Sequence, residues 1–200
     1  MARTKNEAGR DEVRTRLLAE ARAIALEHGH EALSLREVAR RAGYAVASLY
    51  EYFDGRDAVL RALAAQANEA LRGALAEAPG RARGRERLVR LGLAYVAFAR
   101  AHKEDFLLLF ARLPSVRRAQ SEPVAESSAF RVVVEEVARA AGAEELHAPR
   151  SADVERIAYA LWATVHGMAM LQLTHLEGFD ADFAAADRAA LEALTLGFAS

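Results

Sequence analysis

Two Glu-x-x-His pairs, Glu27 to His30 and Glu144 to His147, come nearest to metal chemistry in this chain. A metal-binding helical bundle needs such pairs in mid-helix, projecting into its core. Gly29 interrupts the first pair, and Gly142 and Pro149 flank the second, so both fall at expected helix ends and no metal site is expected. The absence of Cys removes a disulfide framework, a thiolate nucleophile and a Cys-based zinc site. There is no Ser-His-Asp elbow, phosphate loop or dinucleotide fingerprint either. The residues point away from an enzyme and from any cofactor.

A different pattern dominates Ser34 to Phe53, SLREVARRAGYAVASLYEYF. Ser34 can cap a helix, and Glu37 three residues later completes the sequence form of a capping box. Leu33 and Val38 stand at the positions of a hydrophobic staple. Val38, Ala39 and Ala42 supply an apolar side, and Arg36, Arg40 and Arg41 lie elsewhere. Gly43 suits the left-handed position that ends a helix. A second helix follows at once, with Leu49 and Phe53 four apart on one face. Two short helices around a Gly-containing turn form either a helix-turn-helix or an ordinary helical hairpin, and spacing alone leaves both open.

The elements around this stretch are helical. Val13, Leu17, Ala21 and Ile24 predict a helix from about Arg10 to His28, after a flexible tail over 1–9. Asp54-Gly55 marks a turn, and a long helix runs from Arg56 to about Glu77. Pro79 to Gly84 is the clearest break, read as a connection between helices. Its Arg81, Arg83, Arg85 and Arg87 are either a solvated face or a reach toward phosphate. Further helices are expected from Arg85 to His102, Asp105 to Arg112, Val124 to Ala141, Ala152 to Leu176 and Phe183 to Phe198. Ser115 to Pro123 and Ala143 to Ser151 read as connections. No strand periodicity, repeat or low-complexity segment is present.

The helix from Ala152 to Leu176 is apolar nearly all round and must be covered on more than one side. One stripe holds Val154, Ile157, Leu161, Val165, Met168 and Gln172. The other holds Tyr159, Trp162, His166, Met170 and Leu173. One can face its own domain. The other, with Phe183, Leu191, Leu194, Leu196 and Phe198 of the last helix, can face a second subunit or remain intrachain core.

Bulk properties bound the rest. Two hundred residues suffice for one or two domains with a sizeable core. The polar start MARTKNEAGRDEVR is not a signal peptide, and no apolar run reaches the ~18 residues of a membrane span. A soluble cytoplasmic protein is expected. Net charge is −1. From Met1 to Leu60 there are ten basic and ten acidic residues, so any basic footprint must come from placement rather than bulk charge.

The sequence S-L-R-E-V-A-R-R-A-G, then S-L-Y-E-Y-F-D-G-R-D-A-V-L, between an amphipathic helix and a long one, resembles the TetR family of transcriptional regulators. Trp162 to Gly167 resembles the WHG-type C-terminal domain of some members. The resemblance implies an all-α fold of about nine helices: a three-helix helix-turn-helix domain over 10–58 and an effector-binding and dimerisation domain over 59–200. It implies a homodimer through the last two helices, bound to a palindromic operator in double-stranded DNA. Repression relieved by a small hydrophobic or aromatic effector follows by the same analogy.

Carried over residue by residue, the DNA contacts fall on Leu35 and Arg36, on Ala45, Val46, Ala47 and Ser48, on Tyr50 and Tyr52, and on Arg56. Arg56 stands where a lysine commonly binds phosphate. A candidate effector pocket, read from the residues themselves, is lined by Tyr95, Phe98, Phe106, Phe110, Trp162, His166 and Met170, apolar with few polar handles, each of which is otherwise ordinary core. The chain departs from the family at Tyr44-Ala45, where Val-Ser is frequent. Ala45 has no side-chain oxygen for capping, at a cost of about 1 kcal/mol relative to Ser. Readout is expected to lean on phosphates, thymine methyls and DNA shape. Tyr44 either reads DNA or packs in the core. The competing classes are a non-catalytic helical adaptor and a helical-bundle metalloenzyme.

Overall fold

The computed structural model describes residues 5–110, 128–142 and 151–198. Among them are nine α-helices, one short 3-10 turn and no strand. The helices are α1 (Lys5–His28), α2 (Leu35–Ala42), α3 (Val46–Leu49), α4 (Arg56–Glu77), α5 (Gly84–Ala101), α6 (Lys103–Phe110), α7 (Ala129–Gly142), α8 (Ser151–Leu173) and α9 (Phe183–Gly197). The 3-10 turn spans His30–Ala32. α4 has the bounds expected from sequence, whereas α1 begins at Lys5, five residues before its expected start. The connection over 115–123, residues 143–150 with the Glu144 to His147 pair, and the first four residues of the tail lie outside the described residues.

The chain divides into two compact units. The first lies within Met1–Ala67 and Glu104–Arg118, the second within Asn68–Lys103 and Ala119–Ser200. The division cuts α4 near its middle, where the sequence suggested a boundary at residue 58, and it assigns nearly all of α6 to the first unit.

The first unit is built on one core. Leu17, Leu18, Ala21 and Ile24 of α1 meet Val38, Ala39 and Ala42 of α2, Leu49 of α3 and Val59, Leu60 and Leu63 of α4. Leu108 of α6 joins them, and Asp105, on the same helix, pairs with Arg22 of α1. The staple residues Leu33 and Val38 are both buried here. Burial of this kind stabilises by roughly 1.5–3 kcal/mol per large side chain, which is what holds helices too short to be stable alone.

The second unit is arranged around α5, which packs against α7, α8 and α9. Gly92 permits the closest approach. A Cβ there would stand 2.8 Å from the methyls of Leu191 on α9 and 3.1 Å from Val165 on α8. Leu191 is therefore fully buried within its own chain, not on the outward face of α9. On α8, Ile157, Ala158, Leu161, Val165, Ala169 and Leu173 face inward, while Tyr159, Ala163, Gly167 and Leu171 form an exposed row at four-residue spacing.

Two buried carboxylates tie this unit together. Glu136 of α7 is bound by Arg87 of α5 and Arg139 of its own helix, and Arg87 also donates to the Ala82 carbonyl at 2.9 Å. Arg87 thus has an internal role, whereas Arg81, Arg83 and Arg85 are exposed. Asp187 of α9 accepts from the Gln172 amide of α8 at 3.0 Å through both oxygens.

Candidate nucleic-acid interface

The geometry of α2 and α3 follows from local chemistry. Ser34 takes the extended conformation of an N-cap, and its carbonyl accepts from the Val38 amide at 3.0 Å. Its hydroxyl makes no capping bond, so the reciprocal capping box expected from sequence does not form. Glu37 turns instead to the arginines: Arg40 Nη2 and Nε donate at 2.6 and 2.8 Å, and Arg41 Nε donates at 2.9 Å. Arg40 first, and Arg41 second, hold the Glu37 carboxyl down to about 2. Arg41 also forks onto Glu27 of α1 at 2.7 and 2.8 Å. Glu27, half of the first Glu-x-x-His pair, is occupied by that guanidinium. Among the described residues no group of three His, Asp or Glu is gathered to hold a metal.

Gly43 ends α2 at φ 78°, a left-handed conformation that favours glycine. The Gly43 amide donates to Arg40 O at 3.3 Å and the Tyr44 amide to Ala39 O at 2.9 Å, the paired bonds of a Schellman motif. Ala45 then caps α3 through its backbone alone. α3 has only four helical residues, and the chain leaves it through further turns, Glu51 N to Ser48 O at 3.3 Å and Tyr52 N to Leu49 O at 3.0 Å. Leu49 and Phe53 anchor this segment in the core.

The nine candidate contacts separate into groups. Arg36, Ala45, Ala47 and Tyr50 are exposed, Tyr50 at 58%. Ser48 is half-buried beside them. Leu35, Val46 and Tyr52 are half-buried and pack on the first unit's core, as does Tyr44. Arg56 bonds to backbone carbonyls. The outward-facing candidate contacts thus offer one guanidinium, two hydroxyls and two alanine methyls, with the exposed Arg40 of α2 beside them paired to Glu37. Such a set can meet phosphates and thymine methyls but holds few donors for base edges.

Two arginines of α1 that sequence reasoning did not single out lie beside the end of α3. The Arg10 guanidinium lies 5.8 Å from the centre of the Tyr52 ring, and Arg14 lies 5.1 Å from that of Phe53. Arg10 also reaches the Glu51 carbonyl at 3.4 Å. Both arginines are exposed, so they add positive charge beside the end of α3. Their four-residue spacing puts them on one face of α1, and that was the signal available.

The candidate effector residues divide between the units. Tyr95, Phe98, Trp162, His166 and Met170 belong to the second, and Phe106 and Phe110 to the first, where their rings meet at a tilt of 57° with centres 4.9 Å apart. In the second unit the Tyr95 and Trp162 rings meet edge-on at 4.9 Å, and Phe130 of α7 meets Trp162 at 5.5 Å. Phe98 stacks on His102. Tyr95 O and His166 Nδ1 are 3.0 Å apart. Burial pushes the Tyr95 phenol far above its ordinary value and the His166 imidazole down, so both are neutral near pH 7. The neutral phenol and neutral imidazole thus share one hydrogen bond, whose donor is set by the imidazole tautomer. Tyr95 and Trp162 line an apolar cavity with Leu75, Leu91, Gly92, Val133, Leu161 and Val165, with room for about one water molecule.

No helix among the described residues is long and apolar enough to cross a membrane. Residues 17–63 match the family described as "Bacterial regulatory proteins, tetR family", and residues 88–196 match "Tetracyclin repressor-like, C-terminal domain". No curated protein matches the chain. A protein of unknown function from Rhodococcus sp. RHA1 is 32% identical, with 94% of this chain and 96% of that one covered and a TM-score of 0.78. A candidate regulatory protein, SCO4313, is 25% identical over 96% and 98% of the two chains, with a TM-score of 0.74. A TetR variant from Acinetobacter baumannii AYE in complex with minocycline shares the fold, at 20% identity over 91% and 93% and a TM-score of 0.59. With the C-terminal family covering more than half its length and the N-terminal one covering the helix-turn-helix, the chain belongs to the TetR family of DNA-binding transcription regulators.

Proposed function

We propose that this regulator is a cytoplasmic repressor whose homodimer holds a palindromic operator through α2 and α3 and releases it when a small apolar or aromatic molecule binds the second unit. The observation that carries the DNA half is the outward set Arg36, Ala45, Ala47, Ser48 and Tyr50, mounted on a core that fixes α3 through Leu49. A two-fold dimer presents two such edges to successive major grooves ~34 Å apart. The exposed row Tyr159, Ala163, Gly167 and Leu171 on α8 supports pairing of two chains, as does the alanine-rich exposed side of α9 with Leu196. Small residues there allow helices of two chains to approach closely.

The effector half rests on the Tyr95, Trp162 and Phe130 rings with the Tyr95–His166 pair as the polar handle. The cavity beside them is small, so an effector of drug size must open it, and its binding energy must favour the opened form. α4 begins in the first unit and ends in the second, which makes it the natural carrier of such a change.

Ser48→Ala and Tyr50→Phe each remove one hydroxyl from the outward set. Both are expected to lower discrimination between selected and mixed-sequence DNA several-fold. Unchanged preference in both variants overturns the assignment of readout to α3. For the effector, release of bound DNA is followed across a panel of uncharged aromatic compounds with wild type and Trp162→Ala. Release by none of them with wild type contradicts the effector class.

A further inference from the structure

Arg56 opens α4 at the place where the family resemblance suggests a phosphate contact. Its guanidinium is engaged elsewhere. Nε donates to the Leu33 carbonyl at 2.9 Å, and Nη2 donates to the carbonyls of His30 at 3.0 Å and Glu31 at 2.9 Å. All three acceptors belong to the 3-10 turn and the residue after it, immediately before the Ser34 cap of α2. The arginine side of these bonds is held on α4, whose first turn is packed through Val59 and Leu60. The acceptor side is held by Leu33, which is buried. Charge-assisted bonds of this kind are roughly twice as strong as neutral ones. They draw on two nitrogens of a rigid plane, an arrangement that the single nitrogen of a lysine cannot copy.

We propose that Arg56 is a positioning residue: it clasps the segment leading into α2 to the first turn of α4, so that Leu35 and Arg36 meet DNA at a fixed height, and it is not the phosphate ligand. Charge at this position then matters less than the planar fork. A lysine keeps the charge and loses the clasp.

The test compares R56K and R56Q in the full chain by two measurements. The first is amide hydrogen exchange of the free protein at Leu33, whose amide bonds His30 O, and at Val38, whose amide bonds Ser34 O. The second is binding to a mixed-sequence DNA duplex over a series of salt concentrations. The clasp predicts exchange at Leu33 and Val38 about tenfold faster in both variants, with protection in α5 unchanged. It predicts affinity about tenfold weaker in both variants, with the slope of log K against log salt unchanged. A phosphate ligand gives the opposite result: R56K close to wild type, R56Q shallower in slope by about 0.9, and exchange unaltered. That result overturns the proposal. If R56Q does not fold, R56K decides alone, and wild-type exchange in R56K overturns it. Because the exchange measurement needs no DNA, failure of the wild type to bind the duplex would count against the DNA reading and leave the clasp separately decided.

Discussion

α2 and α3 are separated by three residues and are held in opposite ways. α2 adds local determinants to its core contacts through Val38, Ala39 and Ala42: a glycine in the left-handed conformation closes it, and the Glu37, Arg40 and Arg41 pairs run along it. α3 has four residues, begins at an alanine with no capping oxygen, and is fixed almost wholly by Leu49 in the core. The lesson is that the helix proposed to read DNA is the one least determined locally. Its position is borrowed from α1, α2 and α4 through packing.

The contrast can be broken at both ends. Leu49→Ala removes the fully buried anchor and is expected to cost about 2–5 kcal/mol in denaturant unfolding, with DNA binding lost in parallel. A cost below 1 kcal/mol would mean that α3 does not depend on the core. Gly43→Ala forces a side chain into the left-handed conformation at φ 78° and is expected to cost about 1–2 kcal/mol. A neutral result would mean that the turn relaxes freely.

Ala45→Ser supplies the missing cap and is expected to gain about 1 kcal/mol. No gain in thermal midpoint would show that backbone capping already suffices. The smallest effect concerns Glu37. Its carboxyl is held down to about 2, against 4.5 for the free group, by the hydrogen bonds of Arg40 and then Arg41. A depressed carboxyl contributes stability that is present above pH 4.5 and is lost as pH falls through about 2. NMR titration of Glu37 should show a midpoint near the lower value, and a midpoint near 4.5 would mean the bridges are absent in solution. His166 carries the corresponding sign in the second unit: held neutral by burial, it favours the fold above its ordinary range and loses that contribution as pH falls.

The parts of this molecule that were legible in sequence are those whose causes are local. Gly43, the staple of Leu33 and Val38 and the start of α4 after Asp54-Gly55 each follow from neighbours within a few positions. The parts that were not legible depend on partners far along the chain. Leu191 turns inward because Gly92 leaves it room, a match between residues on α9 and α5. Arg56 bonds backbone carbonyls, and such acceptors carry no side-chain signature. Phe106 and Phe110 fall in the first unit because α6 is tied there through Leu108 and the Asp105–Arg22 pair, partners far along the chain. Glu37 fitted a capping pattern, but two arginines within a turn offered it stronger bonds than one backbone amide.

The most direct test of the central claim is unbiased selection of bound sequences from a random DNA pool by this chain. The expected result is enrichment of one palindrome with half-sites about one helical turn, or a multiple of it, apart, rich in A·T steps where Ala45 and Ala47 meet thymine methyls. Enrichment that survives unchanged in an Arg36→Ala, Tyr50→Ala double variant, or no enrichment over the starting pool, would contradict it.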